Sequence, residues 1–122
     1  MTNLLVRAVR GATTVESDDA EEIAVATREL LTRMLQANDI DLENIISVFF
    51  TTSPDLTASF PAAAARGIGF HTVPLICASE INVPGAKSHC IRVMLHAYCS
   101  RSRADIRHVY LRDAQNLRDD LR

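Results

Sequence analysis

Apolar positions along this 122-residue chain begin as a short extended run, pass into a three-to-four-residue period, and return to short β-prone runs. Leu4-Leu5-Val6-Arg7-Ala8-Val9-Arg10 predicts a first strand, with both arginines expected on one face. Gly11 is expected directly after it, where the backbone can turn sharply or approach a ligand closely. Asp18-Asp19-Ala20-Glu21 reads as a helix start, with an acidic cap, Glu three residues beyond Asp18, and negative charge at the positive end of the dipole. Ile23, Ala26, Leu30 and Met34, widened by Ala24, Leu31 and Leu35, predict one long amphipathic helix from about residue 18 to 37 that covers one face of a sheet. Its other side, Glu22, Arg28, Glu29 and Arg33, reads as solvated charge.

The run Ile45–Thr52 is strongly β-prone and predicts a second strand. Ser53-Pro54-Asp55-Leu56 turns the chain into a short helix over Phe60–Gly67, with Pro61 at its first position and Gly at its end. Thr72–Cys77 predicts a third strand, moved towards an edge or a bulge by Pro74. After a turn at Pro84-Gly85, Cys90–Tyr98 predicts a fourth strand and Ile106–Leu111 a short fifth, with His108 and Tyr110 on one face. These elements make an α/β fold: a single domain over residues 1–122, with a mixed five-stranded sheet, one long helix and one short helix.

The fourth strand alternates Ile91, Val93, Leu95 and Ala97 on one face with Cys90, Arg92, Met94, His96 and Tyr98 on the other. Arg92 has no carboxylate near it in sequence, and a buried guanidinium is costly unless paired or open to water. Two explanations stand: an inward charge that blunts an edge strand, or a group that binds an anionic ligand. Arg10, at an expected strand end, adds weight to the second.

Composition narrows the class. A formal charge of -2 with dispersed Lys and Arg argues against a nucleic-acid surface, and Arg101, Arg103 and Arg107 read as residues flanking a turn. No signal sequence or membrane-length apolar stretch is seen, so the expectation is a soluble, cytoplasmic protein without a membrane partner. Three cysteines without a C-x-x-C pair suggest neither a disulfide framework nor a zinc site, and the four histidines lack metal-ligand spacing. Gly67-x-Gly69 is too short for a phosphate cradle. A chain of this length has little room for a recessed polar site, a limit that a site shared between subunits would ease.

The groups that call for explanation are Arg10, Arg92, Glu80, Cys77 and Tyr110. Two arginines and a phenol suit a small dianion, because each guanidinium can grip a carboxylate with two parallel bonds. Glu80 could instead pair with Arg92, hold a ligand hydroxyl, or face positive charge that develops in a reaction. Cys77 could be a nucleophile on paper, but no histidine is placed by pattern to act as its base.

Arg10-Gly-Ala-Thr-Thr-Val-Glu16, Thr52-Ser-Pro-Asp-Leu-Thr-Ala-Ser-Phe60-Pro-Ala62, Val73-Pro-Leu-Ile-Cys77-Ala-Ser-Glu80, Cys90-Ile-Arg92-Val-Met94 and Ile106-Arg-His-Val-Tyr110-Leu111 together closely resemble the monofunctional AroH-class chorismate mutases. The resemblance implies a homotrimeric pseudo-α/β-barrel with active sites between subunits. It implies conversion of chorismate to prephenate, a Claisen rearrangement in phenylalanine and tyrosine synthesis, with no cofactor and no metal. By the same resemblance Arg10 and Tyr110 bind substrate carboxylate, Arg92 reaches a carboxylate and the ether oxygen, Glu80 contacts the ring hydroxyl, and Cys77 forms a polar wall beside it. Phe60, Ala62, Leu75, Ile76 and Leu117 match pocket-lining positions, Arg66 a peripheral basic position, and Arg118 an arginine of the tail. Phe60, Ala62, Arg66 and the tail are implied to come from the neighbouring subunit. Two departures stand out: Ala63 replaces a lysine common in the family, and the chain stops four residues after Arg118. Two alternatives remain: a trimer of the imine deaminase type, which lacks the Arg-Gly-Ala-Thr-Thr opening and the Cys-x-x-Glu spacing, and a trimer that binds a small carboxylate without chemistry.

Overall fold

The computed structural model describes residues 3–116; Leu117 and Arg118 lie outside the described residues. In chain order the elements are β1 (Leu5–Thr14), α1 (Ala20–Asn38), β2 (Ile45–Thr52), α2 (Pro61–Gly67), β3 (Leu75–Ser79), β4 (Cys90–Cys99) and β5 (Val109–Tyr110), with single 3₁₀ turns between some of them. Among the described residues the strands form one mixed sheet in the order β3-β2-β4-β1-β5. β4 runs antiparallel to both β1 and β2, while β3 and β5 lie parallel to their neighbours at the two edges. The predicted α/β class, the mixed sheet and the two helices are all present. No helix among the described residues is long and apolar enough to cross a membrane.

Both helices cover the same face. Leu30, Leu31 and Met34 of α1 and Ala62 and Ala65 of α2 share one core with Val9, Val48, Phe50, Val93 and Leu95 from three strands. Four large side chains of the α1 stripe, Ile23, Leu30, Leu31 and Met34, are fully buried. At roughly 1.5–3 kcal/mol each they contribute on the order of 10 kcal/mol before entropy, an upper figure that still outweighs the ~1 kcal/mol of a helix cap. Packing against the sheet therefore holds α1, and its cap only sets where it begins. The opposite face of the sheet is bare: Val6, Phe49, Ile76 and Tyr98 are all exposed there.

Several boundaries differ from the sequence expectation, each for a local reason. β1 runs through Gly11 to Thr14, so the glycine lies inside the strand. A Cβ on Gly11 would sit 2.5 Å from Met34 Sδ and 3.1 Å from Leu30 Cδ1, so its absence is what lets α1 lie this close. Arg7 and Arg10, three residues apart, fall on opposite faces, as a two-residue period requires. Arg7 donates to the Arg101 carbonyl at 3.0 Å, and Arg10 stands opposite Met94 on the bare face. The α1 cap is Asp19, which accepts from the Glu22 amide at 3.0 Å; Glu22 folds back onto Ser17 instead of lying free in solvent. Glu29 likewise pairs with Arg112 at 3.5 Å.

β3 begins at Leu75 because Thr72 is taken into a 3₁₀ turn, although Pro74 still lends its carbonyl to the Val48 amide at 3.0 Å. β5 shrinks to two residues because the Asn38 side-chain amide occupies Arg107. Asn38 Oδ1 accepts from the Arg107 amide at 2.7 Å and Nδ2 donates to its carbonyl at 2.8 Å. The Arg10 amide donates to His108 Nδ1 at 3.0 Å, which places a side chain where a ladder bond would otherwise run.

Candidate active site

Arg92 lies on β4, the central strand, so protection of a sheet edge does not explain its charge. The burial of β4 alternates as the sequence pattern predicts, with Ile91, Val93, Leu95 and Ala97 buried and Arg92 half-buried on the bare face. Register carries that face across the sheet. Thr51 of β2 and Ala12 of β1 both stand opposite Arg92, and Tyr110 of β5 stands beside Ala12. Thr51, Arg92, Ala12 and Tyr110 thus form one transverse row, in which the buried Ala12 separates guanidinium and phenol. Two strand spacings put those backbones about 10 Å apart. Arg10 is in the adjacent row, on a diagonal of roughly 7–8 Å from Arg92.

Glu80 follows the end of β3, where its amide donates to the Thr52 carbonyl at 2.8 Å. Its Oε2 accepts a hydrogen bond from the Thr51 hydroxyl and lies 3.9 Å from Arg92 Nε. That separation is an ion pair without hydrogen-bond contact, so the guanidinium keeps donors for another acceptor. Arg10 is paired with no carboxylate among the described residues. The Tyr110 hydroxyl is buried without a hydrogen-bond partner among the described residues, in a cluster with Ala12 and Ala114. Such a phenol is a donor for which the described residues supply no acceptor.

Glu80, Arg92, Cys90, Lys87 and Val83 line a pocket of about 560 Å³, while Arg10, Met94, His96 and Arg103 line a separate one of about 430 Å³ on the same bare face. A larger cavity of about 1000 Å³ between the α1 start and Arg112 contains neither Arg92 nor Glu80. The charged groups therefore lie along an open face that the described residues do not enclose. Loops at one end of β2 are tied together beside it. Asp18 accepts from the Thr57 amide and hydroxyl and the Ala58 amide, and Asp55 accepts from the His89 amide at 3.0 Å and from Ser53. The Thr57 hydroxyl holds the Asp18 carboxyl below its ordinary range. Burial pushes the Asp55 carboxyl up, but the bonds from Ser53 and His89 outweigh it and leave it lowered. Burial pushes the Cys90 thiol up against the opposing charge of Arg92.

Residues 6–121 match the family model for chorismate mutase type I. The chain belongs to the chorismate mutase type I family. It is 51% identical over 118 residues to chorismate mutase AroH of Thermus thermophilus, covering 96% of this chain and 97% of that one. It is 40% identical over 119 residues to chorismate mutase AroH of Bacillus subtilis (strain 168), covering 97% of this chain and 94% of the relative. Among solved structures, a chorismate mutase from Clostridium thermocellum superposes with a TM-score of 0.87 at 46% identity, over 88% of this chain and 96% of that chain.

The fold sorts the positions matched to this family's site into two groups. Arg10, Arg92, Tyr110, Ile76 and the nearby Glu80 lie on or beside the bare face. Cys77 and Leu75 do not: they pair in register with Phe50 and Val48 and pack against the core under the helices. Alternation along β3 points the Cys77 side chain to the core face, away from the side of the sheet that carries Arg92. Ala62 is buried in the chain's own core. Phe60, 70% exposed at the start of α2, and Arg66, exposed in its last turn, are on the helix layer, across the sheet from Arg92. Within one chain they do not meet it. Sequence reading missed Thr51 and Lys87, the first an unremarkable residue of a β-prone run and the second a lone surface cation, and neither carries a motif.

Proposed function

We propose that this chain converts chorismate to prephenate on the bare face of its sheet, by electrostatic stabilisation and conformational restriction without covalent catalysis. The chain is a chorismate mutase, an isomerase, by its family and by identity with its relatives over nearly their full length. The observation that carries the choice of site is Arg92: a half-buried guanidinium on the central strand, 3.9 Å from Glu80 and in one row with Tyr110, whose hydroxyl has no partner among the described residues.

The roles follow from charge. As the ether carbon–oxygen bond breaks ahead of carbon–carbon bond formation, negative charge gathers on the enolpyruvyl oxygen and positive charge spreads over the ring. Arg92 donates to that oxygen and binds the transition state more tightly than the ground state, which is what raises the rate. Arg10 and Tyr110 take substrate carboxylate, and Glu80 takes the ring hydroxyl. Holding the flexible substrate in its reactive diaxial shape adds a proximity term. The rearrangement is unimolecular and redox-neutral, so it requires no cofactor, and no protein group forms a bond.

The enclosing walls come from a neighbour. An open apolar face with charged groups along it suits a homotrimer in which Phe60, Arg66 and the tail residues Leu117 and Arg118 of one chain close the site of the next. The cytoplasm is the compartment in which this reading places the reaction. Adding purified protein to chorismate should abolish its absorbance faster than the spontaneous rearrangement and yield prephenate. Persistence of chorismate, with a dicarboxylate still raising the melting temperature, would favour a binding protein instead.

A further inference from the structure

Glu80 can serve the substrate only if its carboxylate is held at a fixed angle, and it follows the end of an edge strand, where a side chain is free to swing. Its backbone is tied by the bond from its amide to the Thr52 carbonyl, 2.8 Å long, but that bond leaves the torsions beyond Cα unconstrained. The side chain is fixed from the neighbouring strand. Thr51, half-buried on β2, stands opposite Arg92 in register and donates its hydroxyl to Glu80 Oε2, the same oxygen that faces Arg92 Nε. Oε1 is left as the oxygen without these two partners.

We propose that Thr51 is a positioning residue for the reaction: its hydroxyl anchors Glu80 Oε2 beside Arg92 and so presents Oε1 to the substrate. The proposal rests on the assignment of Glu80 as a substrate-contacting group. Thr51 has two further effects in this arrangement. Its hydroxyl fixes the side-chain torsions of Glu80 from the neighbouring strand, and it prevents Glu80 from closing onto Arg92 as a bidentate pair that would consume the donors needed by the ether oxygen. The β-branched side chain has a restricted first torsion on a strand, so the hydroxyl itself is held in place.

The test compares the parent protein with Thr51→Val, Thr51→Ser, Glu80→Ala and the double variant Thr51→Val/Glu80→Ala. Valine keeps the shape and strand preference of threonine, and Thr51→Ala serves if it fails to fold. A hydrogen bond to a charged group lost in Thr51→Val should lower kcat/KM on the order of tenfold, mostly in kcat, with the melting temperature nearly unchanged. Serine should restore most of that loss. In the Glu80→Ala background the valine should cost nothing more, because the group it acts through is gone. Where Glu80→Ala turns over no faster than free chorismate, the affinity for prephenate measured by calorimetry replaces kcat/KM in the same comparison. The proposal is overturned if Thr51→Val stays within twofold of the parent, or if the valine costs the same factor with and without Glu80. Normal activity in Glu80→Ala would overturn the site assignment itself, a result distinct from failure of Thr51 alone.

Discussion

Arg92 is charged, half-buried, and set among Ile91, Val93 and the buried Cys90. Its pairing with Glu80 at 3.9 Å is too long to saturate a guanidinium, which keeps donors for a closer acceptor. Five donors in a rigid fork suit a site where a carboxylate and an ether oxygen must be held at once. Arg92→Lys keeps the charge and loses the fork, so kcat should fall by about 100-fold, the lower end of what loss of one preorganised donor costs. Circular dichroism and melting temperature should be close to those of the parent, since the side chain is not part of the core. Near-normal turnover in Arg92→Lys would contradict the electrostatic account.

At the scale of elements, the contact between β1 and α1 and the ties between loops set the site's framework. Gly11 permits the close approach of α1, and Met34 is a flexible neighbour that can yield a little. Gly11→Ala should therefore cost about 1 kcal/mol and Gly11→Val about 3 kcal/mol in denaturant unfolding, because the two methyl groups of valine add to a Cβ already tight against Met34 and Leu30. Equal stability of the valine variant would show that the helix shifts freely. Asp18 ties the loop before α1 to the loop before α2, and its folded-state pKa lies below its ordinary value. A lowered carboxyl contributes stability that is fully present above the unfolded pKa and is lost as pH falls through the folded one. Asp18→Asn should thus melt earlier than the parent at pH 7, and the gap should narrow as the pH is taken below about 3.9. A gap that stays constant into acid would remove the carboxylate from the explanation.

At the scale of the whole molecule, the described chain has one packed face and one bare one. Phe49, 46% exposed, meets His96 edge-on with ring centroids 5.8 Å apart, and Ile76 beside it is 57% exposed. Apolar side chains grouped in this way on a sheet mark a contact surface. Sedimentation should give a species near three times the chain mass of 13.5 kDa. Phe49→Glu should shift it towards single chains and lower activity together with mass, because an isolated chain leaves Arg10 and Arg92 on an open face. Full activity in a monomeric variant would refute the shared site.

Strand and helix periods were written locally, which is why β2, α1 and the alternating faces of β4 could be predicted from the sequence by itself. A two-residue period also fixes the relation between Arg7 and Arg10, since residues three apart on a strand point opposite ways. What only the tertiary structure decided was long-range: that β4 is central, that both helices choose the same face, and that Cys77, Leu75 and Ala62 are used by the core. Thr51 and Glu80 are 29 residues apart, and nothing local in either announces the other. Their meeting depends on β2 and β3 lying parallel in one register, a choice made by the packing of the whole sheet against α1 and α2.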